Sequence, residues 1–132
     1  MRRTDPARLV AVAAGGMVGA TARWSISTAW PVSLDQFPTT TLAINLVGSF
    51  LLGLVVAGLL ERRPAAPVTH TFLGTGLLGA FTTFSTLTVE AVVLVDAGQV
   101  WRAGVYLAAS LVAGVAAAAS GLALGRTWWV HR

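Results

Sequence analysis

Four apolar blocks, each about as long as a bilayer is thick, constrain this chain more than any other feature. They run over Leu9–Trp30, Thr39–Leu60, Val68–Val95 and Ala103–Gly125. A membrane-crossing helix needs about 20 mostly apolar residues. In hydrocarbon a backbone must satisfy its own hydrogen bonds, so blocks of this length read as helices. The stretches between them, "PVSLDQFP", "ERRPAAP" and "DAGQVWR", are polar or carry proline. The expected fold is therefore an all-α membrane protein, one domain over residues 1–132 with four transmembrane helices. Charged residues make up only 11% of the chain, against about a quarter in soluble domains. "RR" before the first block and "ATA" inside it imitate a secretory leader. The apolar run continues past "ATA" through Arg23 to Trp30, and no soluble domain follows, so the first block reads as a span.

Several function classes drop out. The chain has no Cys, which removes disulfides, thiol metal sites and cysteine nucleophiles. All nine basic residues are Arg, and they sit between the apolar blocks rather than in a stripe, so nucleic acid is not an expected partner. No Ser-His-Asp set is visible. His70 has no second His or carboxylate at metal-ligand spacing and reads as interfacial. An enzyme is not expected.

Charge sets the expected orientation. With four spans, both termini and the 61–67 loop share one side, which carries Arg2, Arg3, Arg8, Arg62, Arg63, Arg126 and Arg132. The other side carries Arg102, with Asp35 and Asp96. Seven arginines against one predict cytoplasmic termini. Trp30, Trp101, Trp128 and Trp129 fall at block ends, where an aromatic belt sits.

Within the blocks, positions i, i+3 and i+4 share a helix face. Gly15, Gly19, Arg23 and Ser27 form one stripe in the first block, and Thr41, Asn45 and Ser49 another in the second. In the fourth, Tyr106 and Ser110 lead into Ala113, Ala117 and Gly121. Small residues let membrane helices approach closely, and this suffices to explain the glycines and alanines. Gly15/Gly19 and Gly121/Gly125 fit the GxxxG spacing, which is common in membrane helices. Arg23 and Asn45 call for more. An arginine in a span is costly and points to function, although Arg23 is near enough to the block end to snorkel. Asn45, in mid-block, has no such escape.

The third block is long for a straight span, and Gly74, Gly76 and Gly79 weaken it before the β-branched pair Thr82–Thr83. A break is expected there. Freed carbonyls at such a break suit a hard cation, and freed amides suit an anion. Beyond the break, Thr83, Thr86 and Glu90 share one face, and Phe81 and Phe84 are spaced to face together. A kinked packing helix with satisfied hydroxyls explains the same residues equally well.

Three stretches, "GGMVGATARW" at 15–24, "TLAINLVGSFLLG" at 41–53 and "GLLGAFTTFST" at 76–86, resemble the signatures of the CrcB/Fluc fluoride channels. The resemblance spans the first three blocks in order. It implies a four-helix subunit that pairs antiparallel with a second subunit in a bacterial inner membrane. It also implies passive fluoride export through two pores at the dimer interface. A structural Na⁺ would be held at the dimer centre by the backbone carbonyls of Gly79 and Thr82. By motif, Arg23, Thr41, Asn45, Phe84, Ser85 and Thr86 match the fluoride pathway, with Phe81, Thr83 and Glu90 as supporting positions. A ring edge is electropositive and can face an anion.

Where the family usually reads "TTFSTF", this chain reads "TTFSTL", so Leu87 replaces the second pore phenylalanine, and Ala80 replaces a glycine. Leucine has no positive edge, and one pore is expected to suffer. Two other readings stay open. A small proton-coupled multidrug exporter would need a carboxylate in the first span, which has none. A non-conducting partner subunit would tolerate Leu87.

Overall fold

The computed structural model describes residues 5–33, 36–60 and 67–130. Arg2, Arg3, Asp35, Arg62, Arg63 and Arg132, on which much of the orientation argument rests, lie outside the described residues, as do the side chains of Trp128 and Trp129. The described residues form six α-helices and two π-helical segments: α1 (Pro6–Ala29), α2 (Thr39–Val55), α3 (Pro67–His70), α4 (Gly79–Phe81), α5 (Phe84–Asp96) and α6 (Val100–Val130). The π-helical segments are Val56–Leu60, which extends α2, and Thr71–Leu78, which joins α3 to α4. Among the described residues, four stretches are long and apolar enough to cross a membrane: Pro6–Ala29, Thr39–Gly58, Pro67–Asp96 and Val100–Thr127. The chain is thus an all-α, multi-pass membrane protein.

Local chemistry sets the helix ends. Asp5 caps α1 by accepting the Ala7 N–H at 3.0 Å, and Pro6 occupies the first turn, where its missing N–H costs nothing. Pro31 follows soon after Trp30 closes α1 with an N–H bond to Ile26 O. The Thr40 hydroxyl donates to Trp30 O at 2.7 Å and ties the start of α2 to the end of α1. After α5 the chain turns through Gly98 at φ 74°, a left-handed conformation that suits glycine. At 31 residues, α6 spans about 46 Å, longer than the roughly 30 Å of bilayer hydrocarbon.

The helices pair as α2 on α6, and α1 on the π-helical segment Thr71–Leu78. Both seams rest on glycine. A Cβ at Gly15 would strike the backbone of Phe72 and Leu77, and one at Gly19 the Leu77 carbonyl. Across the other seam, Gly53 lies against the backbone of Ala118 and Leu122, Gly121 against Phe50, and Gly125 against Ala57. Both GxxxG pairs are therefore consumed inside the chain, where close approach substitutes for a hydrophobic driving force that lipid does not supply. Most large apolar side chains point outward instead: Val10, Met17, Trp24, Leu111 and Val112 are each more than 65% exposed. A small core remains where α5 meets α6, built from Leu87, Ala91, Leu94, Ala103 and Tyr106.

Candidate functional site

The third span stops being a helix in its middle. α4 ends at Phe81, Thr82 (φ −76°, ψ 156°) and Thr83 (φ −145°, ψ 121°) are extended, and α5 begins at Phe84. Thr82 N–H still closes on Leu78 O at 3.1 Å, but the extended pair interrupts the helical ladder beyond it, so the backbone groups that follow need other partners. Distant side chains supply several. Asn45, from the middle of α2, pairs with both polar groups of Thr83: Nδ2 donates to the Thr83 carbonyl at 2.9 Å and Oδ1 accepts its N–H at 2.8 Å. Arg23, from α1, donates through Nε to Ala80 O at 3.0 Å. That places a guanidinium at the C-terminal end of α4, where the helix dipole favours positive charge. Arg23 does not snorkel; it reaches inward.

Thr83 then caps α5. Its Oγ1 accepts the Thr86 N–H at 3.1 Å, donates to Thr86 Oγ1 at 2.9 Å and lies 3.3 Å from Ser85 Oγ. Three hydroxyls thus gather at the head of α5. Next to them opens a groove of ≈ 290 Å³, lined by Asn45, Ser49, Gly79, Thr82, Thr83, Phe84 and Leu87 among others. Gly48 forms part of its wall because Thr82 and Phe81 pack directly over it, leaving no room for a Cβ. Phe84 stands at the rim, 77% exposed.

One turn beyond Thr86 is a second polar cluster. Glu90 accepts from Thr41 at 2.7 Å on one carboxylate oxygen and from Tyr106 at 2.6 Å on the other. Thr41 is 6% exposed and Tyr106 is fully buried, so both donors are preset by packing. Phe37 meets the Tyr106 ring edge-on, with centroids 5.6 Å apart. A carboxyl side chain inside a span is tolerated when its oxygens are paired in this way.

Gly79, Thr82, Thr83, Asn45 and Phe84 therefore share one groove, with Ser85 and Thr86 joined through Thr83. Thr41 and Glu90 form a separate cluster along α5, and Arg23 approaches the break from α1. Phe81 departs from the sequence expectation. A three-residue spacing unites two side chains only in a continuous helix, and the extended pair between Phe81 and Phe84 separates them. Phe81 is 8% exposed and borders an apolar groove with Ile26 and Trp30, while Phe84 projects outward. Leu87 lines the polar groove and is also buried in the α5–α6 core. Sequence reasoning missed Tyr106 as a partner of Glu90, although its place on a polar stripe was visible. It also missed the double engagement of Asn45. Among the described residues, no three His, Cys, Asp or Glu side chains cluster as metal ligands.

Residues 10–122 match the family described as CrcB-like protein, Camphor Resistance (CrcB). The chain belongs to the CrcB family. It is 42% identical over 117 residues to a protein of Idiomarina loihiensis named fluoride-specific ion channel FluC, covering 88% of this chain and 90% of that one. It is 44% identical over 117 residues to a protein of the same name from Agrobacterium fabrum, covering 87% and 93%. A Streptomyces avermitilis protein named fluoride-specific ion channel FluC 3 is 42% identical over 118 residues, 89% of this chain and 58% of that longer one. Relatives named as channels place this CrcB chain outside the enzymes.

Proposed function

We propose that this CrcB chain is a subunit of a fluoride-specific channel that lets fluoride leave the cytoplasm passively. The observation that carries this reading is the groove at the break of the third span. It brings an amide, three hydroxyls and an exposed phenyl ring together inside a protein whose relatives are named fluoride-specific channels. Fluoride is small and strongly hydrated, so it enters a span only where hydrogen-bond donors replace its water. Ser85, Thr86 and the second N–H of Asn45 are such donors, and Phe84, whose ring edge is electropositive, starts the same helix as the two hydroxyls. Thr41 and Glu90 continue the route toward the end of the span near Asp96, and Arg23 adds positive charge near the break.

The residues also fit a structural sodium ion. Sodium is a hard cation that takes oxygen ligands, and irregular backbone in a span supplies carbonyls. Gly79 and Thr82 both line the groove at the interruption, and their carbonyls would hold the ion. When bound, the ion contributes fixed positive charge beside an anion route.

A single chain leaves this groove open, with Phe84 exposed at its rim, so the working unit is a dimer of antiparallel subunits in a bacterial inner membrane. The arginine bias argues that this chain inserts one way, with cytoplasmic termini, and that its partner is a homologous chain inserted the other way. Streptomyces avermitilis has relatives named both FluC 2 and FluC 3, so the family does occur as more than one chain in an organism. A second reading, a partner subunit with one impaired pore, is favoured by Leu87, which presents an aliphatic wall to the groove where a ring edge would serve.

Liposomes carrying the purified protein, together with its homologous partner where the genome encodes one, are expected to release fluoride far faster than chloride. Equal release of the two anions, or no fluoride release with any such partner, defeats the proposal.

A further inference from the structure

The bonds around the break have an unequal distribution. In an unbroken helix the N–H of Thr83 would bond to the carbonyl of Gly79, and the N–H of Thr86 to the carbonyl of Thr82. Both N–H groups go elsewhere. Asn45 Oδ1 takes the first at 2.8 Å and Thr83 Oγ1 takes the second at 3.1 Å. Three other carbonyls of the segment are occupied. That of Leu78 accepts the N–H and hydroxyl of Thr82 at 3.1 and 2.9 Å. That of Ala80 accepts Arg23, and that of Thr83 accepts Asn45 Nδ2. The interruption also takes the helical donors of the Ala80 and Phe81 carbonyls, but among the carbonyls that lose a helical donor those of Gly79 and Thr82 belong to residues that line the groove.

We propose that Asn45 is a positioning residue for the cation site, with the Thr83 hydroxyl as its counterpart. Each side chain captures one backbone N–H and so keeps one carbonyl, Gly79 for Asn45 and Thr82 for Thr83, free to face an ion. This rests on the sodium reading above. The requirement for asparagine follows from its chemistry. Pairing with both the N–H and the C=O of one extended residue takes an acceptor and a donor in one short planar group, as a neighbouring strand would supply them. Aspartate keeps the acceptor but opposes a carboxylate to the Thr83 carbonyl. Serine is too short to span both groups. Glutamine displaces them by a methylene. Because the Asn45 amide also lines the groove and keeps a second N–H, it adjoins the anion route while it holds the cation site together.

The test is sodium binding itself, on the assembled protein in detergent, with partner chain where one is needed. Retention of radioactive sodium and the rise of Tm with sodium, titrated in choline buffer, give the half-saturating concentration. Asn45→Ala and Thr83→Val are each expected to raise it about tenfold, the equivalent of one hydrogen bond. Thr83→Ser, which keeps the Oγ, is expected to restore it. Thr88→Ala, whose exposed hydroxyl bonds only to Phe84 and Ser85 carbonyls, is expected to leave it unchanged. If Asn45→Ala does not fold, the Thr83→Val and Thr83→Ser pair decides the question. Wild-type sodium binding with unshifted variants overturns the positioning role alone. A wild-type protein that binds no sodium overturns the cation site as well, and fluoride flux measured in parallel shows whether the channel reading survives.

Discussion

Replacing Tyr106 with phenylalanine isolates one hydrogen bond from the packing around it. The ring is fully buried, and its edge-on contact with Phe37 involves carbon atoms that phenylalanine retains. The hydroxyl alone is lost, and with it the 2.6 Å bond to Glu90 Oε2. A neutral interhelical hydrogen bond in a membrane protein is worth about 0.6 kcal/mol on average. Leaving a carboxylate oxygen unpaired inside the span adds further desolvation cost, so Tyr106→Phe is expected to destabilise the fold by about 1.5 kcal/mol. That corresponds to about a tenfold fall in the folded-to-unfolded ratio. Equilibrium unfolding in a graded denaturing detergent, with Glu90→Ala and the double variant completing a cycle, measures it. A coupling energy below about 0.3 kcal/mol would refute the view that this bond fixes the α5–α6 contact. Thr41→Val provides the companion measurement on the other oxygen, with an expected loss of similar size.

Two other outcomes follow from the same structure. Gly19→Leu, whose Cβ would strike the Leu77 carbonyl, is expected to abolish stable folding, whereas Gly16→Ala, which meets nothing within 4 Å, is expected to be neutral or to stabilise by up to about 1 kcal/mol through helix propensity; yield after detergent extraction and unfolding midpoints separate the two. A C-terminal reporter mapped in cells is expected on the cytoplasmic side, and an even split between the two sides, with fluoride resistance from this gene alone, would replace the heterodimer with a dual-topology homodimer.

The fold was legible because it depends on quantities that a sequence carries openly. Length and hydropathy mark spans without reference to anything outside them, and the four apolar blocks needed no tertiary knowledge. The glycine seams were legible in kind: Gly15, Gly19, Gly121 and Gly125 announce close packing. Their partners were not, since nothing in "GGMVG" says that its neighbour is Phe72–Leu77 rather than a second subunit. The candidate site divides in the same way. Gly74, Gly76, Gly79 and the threonine pair pointed to the interruption, because local backbone preference is a local property. The relation of Phe81 to Phe84 was misjudged for the same cause: helical spacing fails where the helix does.

What stayed hidden is what satisfies the interruption. Asn45 and Thr83 are 38 positions apart, and Arg23 and Ala80 are 57 apart. No periodicity within one span can reveal that an amide in the second closes onto the backbone of the third. Yet the residue types carried a trace of it. A half-buried donor–acceptor amide and a guanidinium are costly inside a membrane unless they meet groups that lack partners, and a broken helix produces such groups. Arg23 and Asn45 are the most polar residues of the first and second spans, and both converge on residues 80–83. In this chain Arg23 and Asn45 find those groups at the interruption of the third span, whereas Thr41 and Tyr106 find a carboxyl side chain instead.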